Sequence, residues 1–297
     1  MGQPPPKESL KHLAPSAQSL AEGSDAERIA SLAEDRWVDY ARARQALAKL
    51  EWMLNHPKST RMPGMLIYGE SNIGKTMIIQ KFLREQGSDG VHSPERQSRS
   101  ILSVQMPAAP QERRFYGQIL VALNTSYRAS EPLATVEHRA LTLLRQVQPA
   151  MIMVDEVHNL LASSAREQRA SLNLLKFLSN ELHCAIVVSG TRDALAAMQT
   201  DDQIGSRFPA FELPRWQESE EFRRFLAGYE RHLPLRKPSG IANSRTMVTK
   251  ILGATAGVTG RISTLLAHAT RAAIRQREER ITDGILHAAL DSIGKRF

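Results

Sequence analysis

An α/β fold, in which a parallel sheet flanked by helices is followed by a small all-helical domain, is what this sequence predicts, on three observations. Short apolar runs of buried-strand type recur with helical patterns between them, an alternation that yields parallel strands with helices on both faces. A glycine-containing loop ending in Lys75-Thr76 joins the first such run to a helix. Beyond Pro214 the strands cease and only helical periodicity remains. The expected division is a mobile arm over 1–24, an α/β domain with leading helices over 25–215 and a helical domain over 216–297.

Each element has its own reason. The arm holds Pro4-Pro5-Pro6 and few large apolar groups, a composition that favours mobility. Ser24 can cap a helix, and Ile29, Leu32, Ala33, Trp37, Tyr40, Ala43, Leu47 and Leu50 then fall near helical spacing, compatible with two helices that end at His56-Pro57. Trp37 and Tyr40 either pack beside the core or line a base pocket. The strands are expected at Met65 to Tyr68, Ile101 to Gln105, Met151 to Val154, Ala185 to Thr191 and, edge-like, Phe211 to Leu213. Helices are expected at Met77 to Glu85, Phe115 to Leu123, Val136 to Val147, Arg166 to Leu182 and Asp193 to Met198. The polar stretch from Gln86 to Arg99 reads as a loop. The helical domain takes Ser219 to Arg231, Asn243 to Leu252, Arg261 to Arg275 and Asp283 to Ile293, punctuated by Pro234 and Pro238.

The loop itself reads Gly69-Glu70-Ser71-Asn72-Ile73-Gly74-Lys75-Thr76 and runs on into Met77, the G-x-x-x-x-G-K-T pattern of a P-loop. Its glycines let the backbone curl so that N–H groups face phosphate oxygens. Lys75 supplies a point charge to the β- and γ-phosphates of ATP, and the Thr76 hydroxyl can ligate Mg²⁺ while the following helix directs its positive end at the anion. Asp155, directly after an apolar strand, is placed to hold Mg²⁺ through water. Glu156 is placed to orient or deprotonate the attacking water.

Composition narrows the partners. The chain of 297 residues carries a formal charge of +8, and its pI of about 9.8 favours an anionic partner beyond the nucleotide, nucleic acid being the commonest. Acidic residues are interspersed, so part of this charge is also explained as solvated surface. No apolar run approaches the roughly 20 residues that span a bilayer, and the first residues lack a secretory pattern, so no membrane association is expected. A single cysteine, Cys184, excludes an internal disulfide and fits a reducing cytoplasm; it reads as a small apolar residue beginning a buried strand.

In this order along the chain, the P-loop, Asp155-Glu156, Ser189-Gly190-Thr191, Ser206-Arg207-Phe208 and Gly260-Arg261 resemble the AAA+ ATPases over roughly residues 35 to 290. The resemblance implies that Thr191, or alternatively Ser189, senses the γ-phosphate and positions water. It implies that Arg207 is an arginine finger reaching a neighbouring subunit's site, and that Arg261, at the start of a lid helix, contacts nucleotide as a second sensor. The Arg36-Trp37 helix, Arg61-Met62-Pro63 and Gly190-Thr191-Arg192-Asp193-Ala194-Leu195 are closer still to the TniB/TnsC transposition ATPases. That likeness implies a regulator that forms a homo-oligomer on double-stranded DNA in the presence of ATP and delivers a transposase, with or without a target-selection protein. Strand cutting would belong to the partner. A helicase loader or initiator-like factor shares nearly all these motifs, and a nucleotide-gated scaffold with little hydrolysis is the rival from another class.

Candidate DNA contacts are Arg113, Arg114 and Tyr116, with Tyr127 and Arg128 in the next loop, although the same residues also read as a solvated helix entry. Arg271, Arg275, Arg277 and Arg280 form a second basic cluster. His158 lacks partner histidines at metal-ligand spacing, and Met62, Met65, Met151 and Met153 read as core.

Overall fold

The computed structural model describes residues 10–87, 100–108, 111–162, 164–199 and 202–293. The expected loop beyond Gly87 up to Arg99, Pro110 and the first nine residues of the expected arm lie outside them. Two units divide the chain: Arg42–Pro214, and the remainder up to Ala41 and from Arg215 onward.

The first unit holds five strands, β1 (Gly64–Gly69), β2 (Ile101–Gln105), β3 (Met151–Asp155), β4 (Ala185–Gly190) and β5 (Ala210–Leu213). They hydrogen-bond in the order β2-β3-β4-β1-β5, every pair parallel. β4 is buried at every position and β3 from Met151 to Val154, which is why their sequences are continuous apolar runs. The outer strands β2 and β5 alternate buried with exposed positions, as edges do. Around the sheet lie α3 (Ala41–Leu54), α4 (Lys75–Glu85), α5 (Glu112–Ala122), α6 (Leu133–Val147), α7 (Ala165–Leu182), α8 (Arg192–Met198) and the short α9 (Asp202–Gly205).

Local chemistry explains these helices. Ser164 and Glu167 close a reciprocal capping box at the start of α7. α4 buries Ile78, Ile79 and Phe82 on one face, each contributing about 1.5–3 kcal/mol by leaving water. Gly117 in α5 is needed because a Cβ there would fall 2.2 Å from the ring of Tyr127.

The strand order has one functional consequence. β4 is bonded on one side to β3 and on the other to β1, so the C-terminal ends of these three strands adjoin. The residues just past each of these ends therefore share one rim of the sheet.

The second unit is helical, with α1 (Pro15–Glu22), α2 (Asp25–Ala30), α10 (Glu220–Glu230), α11 (Arg245–Thr255), α12 (Thr259–Arg275) and α13 (Asp283–Ile293). Phe222, Phe225, Leu226, Ile251, Ile262, Leu265, Leu266 and Leu286 form its core. Trp216 stacks on Phe225 at 4.6 Å between ring centroids and takes Tyr40 edge-on at 5.0 Å, so Tyr40 is a packing residue of this unit. Arg28 is fully buried; its Nε and Nη2 donate to Pro234 O at 3.0 and 2.9 Å, while Nη1 reaches Asp25 at 2.9 Å and Glu279 at 3.0 Å.

Two expected boundaries need correction. Pro15–Glu22 is a helix with Ala17 and Ala21 buried beside Leu10 and Leu13, not part of a mobile arm. Proline at N1 starts this helix, since its missing N–H is one that a first turn leaves unbonded anyway. Residues 25–41, expected with the nucleotide-binding domain, group instead with the helical unit. α2 begins at a Ser24–Glu27 capping box, and the stretch 34–40 ahead of α3 is non-helical.

Candidate active site

β1 delivers the P-loop to the rim where β3 and β4 also end. Gly74 has φ 109°, a left-handed conformation that L side chains rarely adopt, and α4 starts immediately after it at Lys75. Gly69 is demanded by packing, because a Cβ there would lie 2.5 Å from Leu213 O on β5. Asn72 also takes a left-handed backbone, φ 62°, which asparagine tolerates better than most residues. Glu70, Ser71, Ile73, Thr76 and Met77 complete the loop and helix entry, with Ile73 buried and Ser71 and Thr76 exposed.

Lys75 is 6% exposed, and its Nζ donates to Glu70 O at 2.8 Å and Gly69 O at 3.2 Å. Burial holds its ammonium below the ordinary lysine range, opposed by the negative charges of Glu156, Asp155 and Glu70 in that order.

Asp155 is the hub of the rim. Its Oδ2 accepts from Thr76 Oγ1 at 2.8 Å, and its Oδ1 accepts from the Glu156 N–H at 2.8 Å and from Ser189 Oγ. Thr76 is thus joined to Asp155 although 79 residues separate them. A hydroxyl beside a carboxylate is the all-oxygen donor set that suits Mg²⁺, and no cluster of three or more His, Cys, Asp or Glu able to hold a metal occurs among the described residues. These residues therefore fit a P-loop Mg²⁺ held partly by nucleotide phosphates.

Of the two candidate sensors, Ser189 is fully buried on β4 and bonded to Asp155, whereas Thr191 lies just past the strand with its Oγ1 buried and, among the described residues, unpartnered. Register explains the first: Val154 pairs with Val188, so Asp155 and Ser189 follow side by side.

Glu156 has φ 58°, and its Oε2 lies 3.1 Å from His158 Nε2. Sequence reasoning set His158 aside because it sought other histidines. The partner is the carboxylate two residues earlier, and that spacing was the available signal.

Arg207 is elsewhere. It immediately precedes the turn into β5 and backs onto Gly64, whose added Cβ would sit 2.5 Å from Arg207 O. Gly64 opens β1 and Gly69 closes it, so about 17 Å of strand separates Arg207 from the P-loop of its own chain. Arg207 Nη2 donates to Ser179 Oγ at 3.2 Å and to Asn180 Oδ1. Burial lowers its proton affinity and the neighbouring cation Arg61 lowers it further. A cleft of about 560 Å³ beside it is lined by Arg61, Lys176, Asn180, His183, Ser206 and Arg207, among others.

The expected DNA contacts separate. Tyr116 is 2% exposed, and its hydroxyl donates to Glu137 at 2.9 Å, with burial raising its pKa; as a core residue it cannot reach a phosphate. Arg114 and Arg128 are exposed and Arg113 is half-buried. Trp37 and Arg261 belong to the helical unit, both half-buried, the latter in the first turn of α12. Cys184 is fully buried, its thiol pushed up to about 12 by that burial.

Among solved structures the chain is similar to the Aeropyrum pernix ORC1 protein in complex with DNA, at 20% identity and TM-score 0.62, covering 89% of this chain and 69% of that one. It is similar to the A. pernix ORC2 protein in its ADPNP-ADP complexes, at 16% identity and TM-score 0.61 over 89% and 71% of the two chains. It is also similar to Cdc6p from Pyrobaculum aerophilum, at 13% identity and TM-score 0.66 over 89% and 70%. These likenesses show that the chain shares the fold of these proteins. A comparison with curated proteins finds no match. The model of the bacterial TniB protein matches residues 28–218, nearly two thirds of the length and all of the rim just described, and the chain belongs to the TniB family.

Proposed function

We propose that this protein is an ATP-hydrolysing, DNA-binding regulator of transposition that assembles on double-stranded DNA and recruits or activates a transposase, hydrolysis then loosening the assembly. The observation that carries the reading is the separation of Arg207 from its own P-loop by the length of β1. A cation so placed is out of reach of its own P-loop, which supports its serving a nucleotide bound to another copy and so coupling turnover to assembly. The family match supports the transposition role over a helicase loader. The DNA complex of the A. pernix ORC1 protein is in keeping with duplex DNA as the ligand.

In this mechanism the P-loop N–H groups and Lys75 bind and orient the phosphates, and Thr76 with Asp155 holds Mg²⁺. When bound, Mg²⁺ supplies positive charge that neutralises the phosphate oxygens. Ser189 and the Glu156 N–H fix the Asp155 carboxylate. Glu156 accepts a proton from the water whose oxygen bonds to the γ-phosphorus, while the bridging P–O bond breaks with its electron pair leaving on ADP. Arg207 of a neighbouring copy balances the developing charge, and Thr191 or Ser189 orients the water. Arg261 and Trp37 contact nucleotide, a role that titration of Arg261→Ala and Trp37→Ala would test. Arg113, Arg114 and Arg128 touch DNA phosphates.

The deciding experiment is binding to a long duplex of arbitrary sequence with ATP, ADP or neither, followed by sizing of the complexes. Large assemblies formed with ATP and dispersed by ADP are expected, as is dependence of a cognate transposase on them. Absence of DNA binding in every nucleotide state would overturn the reading.

A further inference from the structure

The Glu156 backbone and side chain are held by different means. Its backbone is fixed in the left-handed region by the bond from its own N–H to Asp155 Oδ1 at 2.8 Å and by Asn159 N–H donating to Glu156 O at 3.0 Å. Asn159 is anchored in turn, its Nδ2 donating to Met106 O at 2.9 Å. A non-glycine residue keeps such a conformation only where its surroundings impose it. The carboxylate is another matter: it stands on three rotatable bonds, is about one-third exposed at 34%, and is in contact with His158. Its negative charge is the strongest opposite one acting on the Lys75 ammonium, ahead of Asp155.

His158 is itself immobilised. Its backbone N lies 3.3 Å from where a Cβ on Gly190 would sit, so this turn is seated against the end of β4 with no room for a larger residue. Among the described residues its Nδ1 is buried without a hydrogen-bond partner, while Nε2 lies 3.1 Å from Glu156 Oε2. Of the two tautomers of a neutral ring, the Nε2–H form avoids opposing two lone pairs across this contact and leaves a bare lone pair at Nδ1, the cheaper group to bury unpaired, since a buried N–H without an acceptor is rare.

From this geometry we propose that His158 is the positioning residue for Glu156: its Nε2, 3.1 Å from Oε2, keeps the carboxylate in place to take the proton from the attacking water. The inference rests on the hydrolytic reading of the site given above.

The test is steady-state ATP turnover, with nucleotide affinity measured separately, on His158→Ala, His158→Gln, Glu156→Gln and the double variant His158→Ala/Glu156→Gln. His158→Ala should lower kcat about 10- to 100-fold, the size expected when a reacting group is displaced by about an ångström. KM and nucleotide affinity should stay within about twofold. Gln, whose Nε2–H reaches nearly as far as the histidine's, should restore most of the rate. The double variant should be no slower than Glu156→Gln, since holding a glutamate that is absent has no value. Wild-type turnover in His158→Ala, or a loss of affinity that Gln does not restore, would overturn the proposal. Long-range ¹⁵N spectra of the imidazole, assigned by loss of the signal in His158→Gln, give a readout independent of turnover. An Nε2–H tautomer that becomes mixed in Glu156→Ala is expected, and a ring insensitive to Glu156 would sink the assigned bond. Should Glu156→Gln turn over as fast as the wild type, the hydrolytic reading itself would fall, while the spectra would still decide the contact.

Discussion

The two ends of the sheet are built on opposite electrostatic plans. At the C-terminal end, Asp155 gathers Thr76, Ser189 and the Glu156 N–H, and Lys75 turns into the carbonyls of Gly69 and Glu70. At the N-terminal end, Arg207 and Arg61 are held by neutral groups: Ser179 and Asn180 for the first, Ser206 for the second. Among the described residues neither has a carboxylate partner, in contrast to Arg145 with Glu181 or Arg192 with Glu212. One rim gathers its charges against one another, while the other holds its cations by neutral groups. On the function proposed above, equipment for one reaction stands at both ends of one chain and two chains meet to complete it.

The strongest test breaks the comparison at the N-terminal end. Arg207→Ala should bind ATP within a few-fold of wild type yet lose about a thousandfold in turnover, the low end for an arginine finger. Mixing it with Lys75→Ala subunits should recover activity, because each then supplies what the other lacks; no recovery in a mixed-subunit assay would sever the link between the ends. Next in size, Lys75→Ala should weaken ATP binding about a hundredfold in a fluorescent-nucleotide titration. Unchanged affinity would remove the P-loop assignment.

The glycines at the two ends of β1 sharpen the contrast. A Cβ on Gly69 meets Leu213 O at 2.5 Å, and one on Gly64 meets Arg207 O at the same distance. Both alanine variants should lose about 1–3 kcal/mol of stability by denaturant melt, the cost of overpacking against backbone. Their functional effects should differ: Gly69→Ala should weaken nucleotide binding, and Gly64→Ala should slow turnover with binding intact. Identical defects would mean that the ends do not act separately. The smallest effect expected is at Ser189, where alanine removes one of three donors to Asp155. About a tenfold loss of turnover is expected from a charge-assisted bond of about 1.5 kcal/mol or more. If Thr191→Ala costs more than Ser189→Ala in the same assay, the post-strand hydroxyl is the more important of the pair.

Much of this was legible in the residues. The five strands fall where the apolar runs lie, and the loop-to-helix junction at Gly74-Lys75 follows from the glycine and lysine spacing. The errors share a cause: local pattern does not say which face a residue turns to the core. Tyr116 sits next to two arginines in sequence, yet on α5 it falls on the same buried face as Phe115, Ile119 and Leu120. Leu10, Leu13, Ala17 and Ala21 recur at helical intervals, but the prolines and small residues around them hide a short helix that buries only Ala17 and Ala21.

What the sequence determined by itself was the set of short-range facts: which segments are strands, where the phosphate loop curls, and that two carboxylates come at the end of β3. Those depend on contacts within a few residues and on periodicity. Only the tertiary structure decided which hydroxyl meets Asp155 and that Arg207 stands a strand's length from its own P-loop. Strand order and register set both, and they are chosen by packing among elements distant in sequence.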